Sequence, residues 1–401
     1  MMNKPIIKYC KKCTVPNSSA VPVEFNSEGI CSGCLTDTES KTINWDRRRL
    51  LFESLIEDYK SKDNYYDCII PVSGGKDSYW QIHLIKEYDL NPLLVTYHGN
   101  NYSKTGMENL LNMREAFNVD HIFFTPSIHL LKKMNRVCQK LMGDMNWHGH
   151  AGIFNYPIRE AVEKNIPLMV WGEHGFMDLG GMHSYKDMVE FTYRYRHEHC
   201  MRGYEWYDII EASKIQGDEI FEKEMIQWKY PTDEDIERVG VRGIFISNFF
   251  KWDANEHGPL MIEKYGFKEA DFEFERTYRK MSNLDDMHEN GIHDYMKWIK
   301  FGYGRATDHT SKDIRAGKLT REDAVQEVLK RDPIKSKDLW RWLNYVGWTE
   351  EQFDEVADTF RDPNVWFIKD NQWCKIDIDG IERTYGKVHI NEEQKKKYYK
   401  D

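Results

Sequence analysis

Pro71-Val72-Ser73-Gly74-Gly75-Lys76-Asp77-Ser78 combines two adjacent glycines, a lysine, a carboxylate and two hydroxyls in eight positions. Glycine lets a backbone approach an anion closely, the lysine adds charge, and Ser73 and Ser78 add donors. The apolar run Cys68-Ile69-Ile70 precedes this stretch and helix-like sequence follows from about Tyr79. Strand, tight loop and helix N-terminus together make an anion site, with phosphate the natural guest. The stretch is not a Walker A loop, because Ile70 stands where the first glycine belongs and Asp77 where the Ser or Thr belongs.

The elements that must hold this loop read as alternating α/β units. A helical pattern over 45–60 leads into the first strand. Helices near 79–88, 107–117, 128–141 and 156–164 alternate with strands Pro92–Tyr97, His121–Phe124 and Pro167–Trp171, and Gly243–Ser247 is a fifth apolar run. Ligands in open parallel sheets bind beyond the carboxyl ends of the strands, so Val72, Tyr97, Phe124 and Trp171 are expected to face one site. Beyond about residue 255 the pattern turns helical and charged, with strand signals again only over 365–388. The tail from Asn391 reads as a solvated end.

Four of the eight cysteines form a second chemical cluster. Cys10-Lys11-Lys12-Cys13 and Cys31-Ser32-Gly33-Cys34 frame a spacer in which Val21–Phe25 reads as a strand and Asn26–Gly29 as a turn. Such a hairpin returns the second pair to the first, the pattern of a tetrathiolate zinc ribbon. Two disulfides or free thiols are the alternative reading. Four thiolates close the coordination sphere, so this zinc is expected to be structural. The domain expectation is a zinc ribbon over 1–44, an α/β nucleotide domain over 45–255 and a mostly helical substrate or partner region over 256–401.

The formal net charge of -10 argues against a protein built mainly to hold nucleic acid. No apolar run approaches the roughly 18 to 20 residues that span a bilayer, and the first residues lack the apolar core of a signal peptide. The expected location is the cytoplasm, with no membrane contact.

The S-G-G-K-D-S pattern resembles the PP-loop of ATP pyrophosphatases, which cleave ATP between its α and β phosphates and form an adenylated intermediate. Further motifs narrow the likeness: Gly29-Ile30-Cys31, Tyr66–Val72, His150-Ala151-Gly152-Ile153-Phe154, Ile166–Glu173, Phe249–Asp253 and Phe301–His309. With the cysteine pairs, these resemble the N-acetyl sugar amidotransferases of bacterial surface-polysaccharide and nonulosonic acid biosynthesis. The resemblance implies an α/β fold with a parallel-sheet PP-loop domain, an N-terminal zinc ribbon and a mostly helical C-terminal region. It implies conversion of an N-acetyl group on a sugar, free or nucleotide-linked, into an acetamidino group. ATP, Mg²⁺ and structural Zn²⁺ are the implied cofactors.

On that reading Lys76, the amides of Gly74 and Gly75 and the Ser73 and Ser78 hydroxyls hold the departing pyrophosphate, and Asp77 orients Mg²⁺. Val72, Thr96 and Tyr97 border the nucleotide, with strand-end packing the alternative for the last two. Glu173 is expected to assist the metal or the substrate, and His174 to transfer protons; a solvated loop is the alternative. Trp171, Arg305 and His309 are candidate sugar contacts. The zinc ligands are Cys10, Cys13, Cys31 and Cys34. His148 and His150 read as helix-start polar groups, and His197-Glu198-His199-Cys200 as an exposed helical face. Cys68, Cys138, Cys200 and Cys374 lack the turn that exposes a glutaminase nucleophile. By resemblance, ammonia comes from a separate glutamine amidotransferase with a cyclase-like companion subunit. A tRNA thiolation enzyme shares the loop and the zinc pairs. It needs a persulfide cysteine or iron–sulfur trio near the phosphates, and no C-x2-C lies in the α/β region.

Overall fold

The computed structural model describes residues 4–63, 65–282, 284 and 287–399. Its centre is a five-stranded parallel sheet of β1 (Cys68–Pro71), β2 (Pro92–Tyr97), β3 (His121–Phe124), β4 (Leu168–Trp171) and β5 (Arg242–Phe245), in the order β3-β2-β1-β4-β5. The chain winds outward from β1 in both directions, so the order reverses between β1 and β4. A crevice beyond the carboxyl ends at that reversal is where such sheets hold ligands.

Helices cover both faces. The first half contributes α1 (Ser32–Ser40), α2 (Trp45–Glu57), α3 (Lys76–Glu87), α4 (Lys104–Phe117), α5 (Ile128–Met142), α6 (Trp147–Lys164), α7 (Gly175–Gly180), α8 (Trp206–Gln216) and α9 (Asp233–Val239). Alternate strand residues point to opposite layers. Ile70, Leu94, Val170 and Ile244 pack with Phe52 of α2, Tyr79 and Ile82 of α3 and Leu110 of α4. Ile69, Val95, Met169 and Phe245 pack with Tyr156, Ile158 and Ala161 of α6. Both layers are dry, which explains the near-continuous apolar runs that make the strands readable.

Local chemistry sets the ends of these helices. Ser103 caps α4 by accepting from the Gly106 N–H, and Asn118 and Asn165 end α4 and α6 in the left-handed conformation. The helix read near 156–164 is longer than its pattern: α6 starts at Trp147 and carries Pro157 inside it, placing His148 and His150 in its first turns. His197–Cys200 is not simply an exposed face. Tyr195–Cys200 forms a π-helical turn with Cys200 buried, because Tyr195 packs edge-on against Phe245 and draws the turn inward.

The second half adds α10 (Ala254–Tyr265), α11 (Met287–Phe301), α12 (Arg305–Arg315), α13 (Arg321–Arg331), α14 (Leu339–Val346) and α15 (Glu350–Asp358). An antiparallel sheet of β6 (Phe367–Lys369), β7 (Gln372–Ile376) and β8 (Glu382–Lys387) follows. The tail does not fray as expected. Tyr398 is buried against Trp373 and its hydroxyl donates to the Arg361 carbonyl at 2.7 Å, so aromatic packing docks the chain up to that point. Among the described residues no helix is long and apolar enough to cross a membrane.

Candidate active site

The Pro71–Ser78 loop leaves β1 and enters α3 directly, with Gly75 as the helix N-cap. Gly74 takes φ +84°, and a Cβ there would stand 3.0 Å from the Leu110 Cα, so only glycine lets the loop lie on the α4 backbone. The Ser73 N–H donates to Ser78 Oγ at 3.1 Å, closing the turn across the first turn of α3. The Gly75 N–H donates to Ser73 Oγ at 3.4 Å, and the N-terminal end of α3, with its dipole, has the polarity that suits an anion. Lys76 Nζ lies 2.7 Å from Asp77 Oδ2, while Asp77 Oδ1 is buried without a partner. Burial pushes the Asp77 carboxyl up, but Lys76, Lys312 and His257 more than reverse this, so it ionises below the usual range.

The loop opens on a cavity of about 360 Å³ at the carboxyl ends of β1, β2, β4 and β5. Val72, Ser73, Asp77 and Ser78 line one side. Tyr97, Tyr102, Phe154, Trp171, Tyr195 and Phe245 make an aromatic wall, Asn101 adds an amide beside it, and Glu173 lies on the same cavity. Phe124 is not part of it: it stacks on Tyr156 with ring centroids 4.9 Å apart, and Phe245 of β5 takes the place expected for it. Thr96 is fully buried below the site. Its hydroxyl donates to the Val72 carbonyl at 2.7 Å and meets His121 Nε2 at 2.8 Å, bracing β1 against β2 and β3. Tyr97 lines the cavity with its ring, and its hydroxyl reaches His148 Nδ1 at 2.9 Å.

Glu173 also borders a second, more polar cavity of about 570 Å³, lined by Asp178, Tyr185, Lys251, Trp252, Arg279 and Lys312 among others. Lys312 of α12 bridges Glu173, at 3.0 Å, and Asp178. Burial, with Asp178 and Asp77 nearby, raises the Glu173 pKa despite Lys312. Two carboxylates on one cavity thus have acidities pushed apart, the arrangement that separates metal-holding from proton-handling roles.

Other expected residues lie elsewhere. His174 caps α7, accepting from the Met177 N–H at 3.2 Å; it is buried against Tyr195 and Phe245 and does not line the cavity. Arg305 pairs with Asp294 at 2.9 Å, and His309 is buried with Nδ1 on the Thr277 hydroxyl. Neither borders the loop cavity. Lys312, Asn101, Tyr102 and Phe245 escaped sequence reasoning. Phe245 sits at the end of a recognised strand and was within reach of it, whereas Lys312 is one charge among many on a polar helix.

The four cysteines of the N-terminal pairs are buried, and their Sγ atoms lie within 4.8 Å of one another. Zn–S bonds of about 2.3 Å in a tetrahedron require S···S spacings of about 3.8 Å. Cys13 Sγ and Cys31 Sγ lie 3.6 Å apart, far beyond a disulfide bond of about 2.05 Å. N–H groups of Lys12, Cys13 and Cys31 donate to Cys10 Sγ at 3.3–3.4 Å, and Arg315 Nη2 approaches Cys13 and Cys31 at 3.8 and 3.7 Å. These donors stabilise thiolates, so the cluster fits a structural zinc. The expected spacer strand is reduced to a bridge between Phe25 and Cys31, which still brings the pairs together.

An uncharacterized protein of Methanocaldococcus jannaschii is 30% identical over 112 residues, which cover 28% of this chain and 40% of that protein. The chain thus spans less than half the length of the curated relative it matches. Residues 247–377, which include Lys312, match the family model described as LPS biosynthesis protein WbpG-like, C-terminal domain. That match supports a context in LPS biosynthesis for this chain.

Proposed function

We propose that the protein is an ATP-dependent amidotransferase that activates the N-acetyl group of a sugar, free or nucleotide-linked, for surface-polysaccharide assembly. The observation that carries this reading is the Ser73–Ser78 loop, with Gly74 left-handed and Gly75 capping α3, facing a cavity at the reversal point of the sheet. The LPS context of residues 247–377 supports the sugar class.

An amide carbon resists ammonia and its oxygen leaves poorly. The amide oxygen therefore attacks the α-phosphorus, the bond to the β-phosphate breaks, and pyrophosphate departs. Ammonia then adds to the activated carbon, AMP leaves with the oxygen, and an acetamidino group remains. Lys76, the α3 N-terminus and the serine hydroxyls grip the pyrophosphate, stabilising charge as it develops. The aromatic wall of Tyr97, Tyr102 and Trp171 suits a nucleobase or a sugar face. Mg²⁺, when bound, neutralises phosphate charge; Asp77, whose Oδ1 lacks a partner, is the carboxylate that would hold it. Glu173, with its raised pKa, takes a proton from the incoming ammonia.

Cys68 and Cys138 are buried and burial pushes their thiols up, which supports an external ammonia source such as a separate glutamine amidotransferase with its companion subunit. The test follows AMP and product mass with ATP, ammonia and N-acetylated sugars. Sugar-dependent AMP is expected, and Lys76→Ala or Asp77→Ala abolishes it while the fold persists. AMP that depends on tRNA instead assigns the protein to thiolation and overturns the proposal.

A further inference from the structure

Behind the wall of the loop cavity, Asp144, His150 and His293 bring a carboxylate oxygen and two imidazole nitrogens within 4.8 Å of one another. Asp144 lies in the turn between α5 and α6 and is 1% exposed. His150 belongs to α6 and His293 to α11, so the three donors come from both halves of the chain.

The spacing within the group is informative. His293 Nδ1 lies 3.0 Å from Asp144 Oδ1, a hydrogen bond. His150 Nε2 stands 3.7 Å from Asp144 Oδ2, beyond hydrogen-bond length, and is a buried nitrogen without a partner. Buried polar atoms in folded proteins are nearly always satisfied, so an orphan aimed at a carboxylate and a second imidazole points to a missing ligand. The Asn146 N–H donates to Asp144 Oδ1 at 3.1 Å and fixes the carboxylate, as outer partners of metal ligands do. Arg202 Nε approaches Asp144 Oδ2 at 3.4 Å, and the Lys300 ammonium, near the Met142 carbonyl, is a second cation whose charge reaches Asp144.

We propose that Asp144, His150 and His293 form a second metal centre, separate from the four cysteines, which takes a first-row divalent transition ion such as zinc. Two imidazoles and one carboxylate are the donors such ions prefer, whereas Mg²⁺ and Ca²⁺ prefer oxygen alone. Bonds of about 2.0 to 2.2 Å need donor spacings of about 3.3 to 3.5 Å; the 3.7 Å between His150 and Asp144 shortens and the 3.0 Å between His293 and Asp144 lengthens by a few tenths of an ångström to supply them. The ion ties α11 to the start of α6. Asn146 and Gly149 from that same segment line the loop cavity, so the clasp holds one wall of it. The inference is independent of the adenylation reading.

The test counts zinc bound by the full-length protein after equilibration with excess zinc and gel filtration. Two ions per chain are expected for the parent protein, and one for His150→Ala and for His293→Ala, with the cysteine-bound ion retained as the sign that each variant has folded. Cobalt titration of the parent protein is the second measurement. It should saturate at two equivalents, one with thiolate charge-transfer absorption and one without. Saturation at a single thiolate-bound ion, or two zinc ions in the His150→Ala/His293→Ala double variant, overturns the assignment.

Discussion

Lys312 Nζ stands 3.0 Å from Glu173 Oε1 and also meets Asp178, so one ammonium on α12 is shared between Glu173, just past β4, and Asp178 of α7. Lys312→Met leaves Glu173 and Asp178 facing each other without a cation. Glu173 then protonates more readily and loses its fixed position, and sugar-dependent AMP formation should fall about tenfold, or about 1.4 kcal/mol. A well-folded variant with the parental rate would detach Lys312 from the reaction.

The two glycines of the loop predict opposite outcomes. Ala at position 74 enters the left-handed region, costing about 1 to 2 kcal/mol, and drives its Cβ into the Leu110 backbone. At Gly75, φ is -75° and the nearest neighbour of a new Cβ is Ser73 Oγ at 3.5 Å. Urea unfolding should show Gly74→Ala clearly destabilised and Gly75→Ala within about 0.5 kcal/mol of the parent. Equal midpoints for the two variants would contradict the loop conformation.

Zinc removal should be felt far from the cysteines. Thr14 Oγ1 lies 2.8 Å from Thr310 Oγ1 and 2.9 Å from Ser311 Oγ, and Arg315 reaches the cysteine sulfurs, so α12 rests on the ribbon. In Cys31→Ser, one zinc per chain should be lost and amide exchange across residues 305–315 should accelerate. Unchanged exchange in that helix would separate the ribbon from it.

Acid should weaken the protein through buried histidines. Burial, with His183 and His199 nearby, pushes His174 down to about 4, while an unfolded histidine titrates near 6.5. The unfolded state therefore binds more protons between those values, and stability falls as pH drops through 6.5 towards 4, by about 2 kcal/mol between pH 7 and 5 for this group. His174→Asn keeps an acceptor for the Met177 N–H and cannot titrate. Urea midpoints at the two pH values should converge in this variant relative to the parent; an unaltered gap would clear His174 of the effect.

The sheet was legible because β1, β2 and β4 are largely buried on both sides, and β5 at Ile244 and Phe245, so that they read as short apolar runs between glycines, polar turns and helical stretches. The loop was legible because its chemistry is local: eight consecutive residues carry the glycines, the charge pair and the hydroxyls. Trp171, Glu173 and Tyr97 followed from the rule that strand ends face the ligand. Lys312, Asp144 and His293 were not recoverable in the same way. Each acts through a partner far away in sequence, and no period or spacing links Glu173 to a lysine on α12. Arg305 and His309 had the right chemistry for a sugar contact, but pairing with Asp294 and Thr277 holds their polar groups within the C-terminal region.

The hydroxyl contact between Thr14 and Thr310 joins residues 296 positions apart. At about 5 to 20 residues per second, a ribosome makes the cysteine pairs roughly 15 to 60 seconds before the helix that covers them. During that interval the cysteine pairs stand without the helix that covers one side of them.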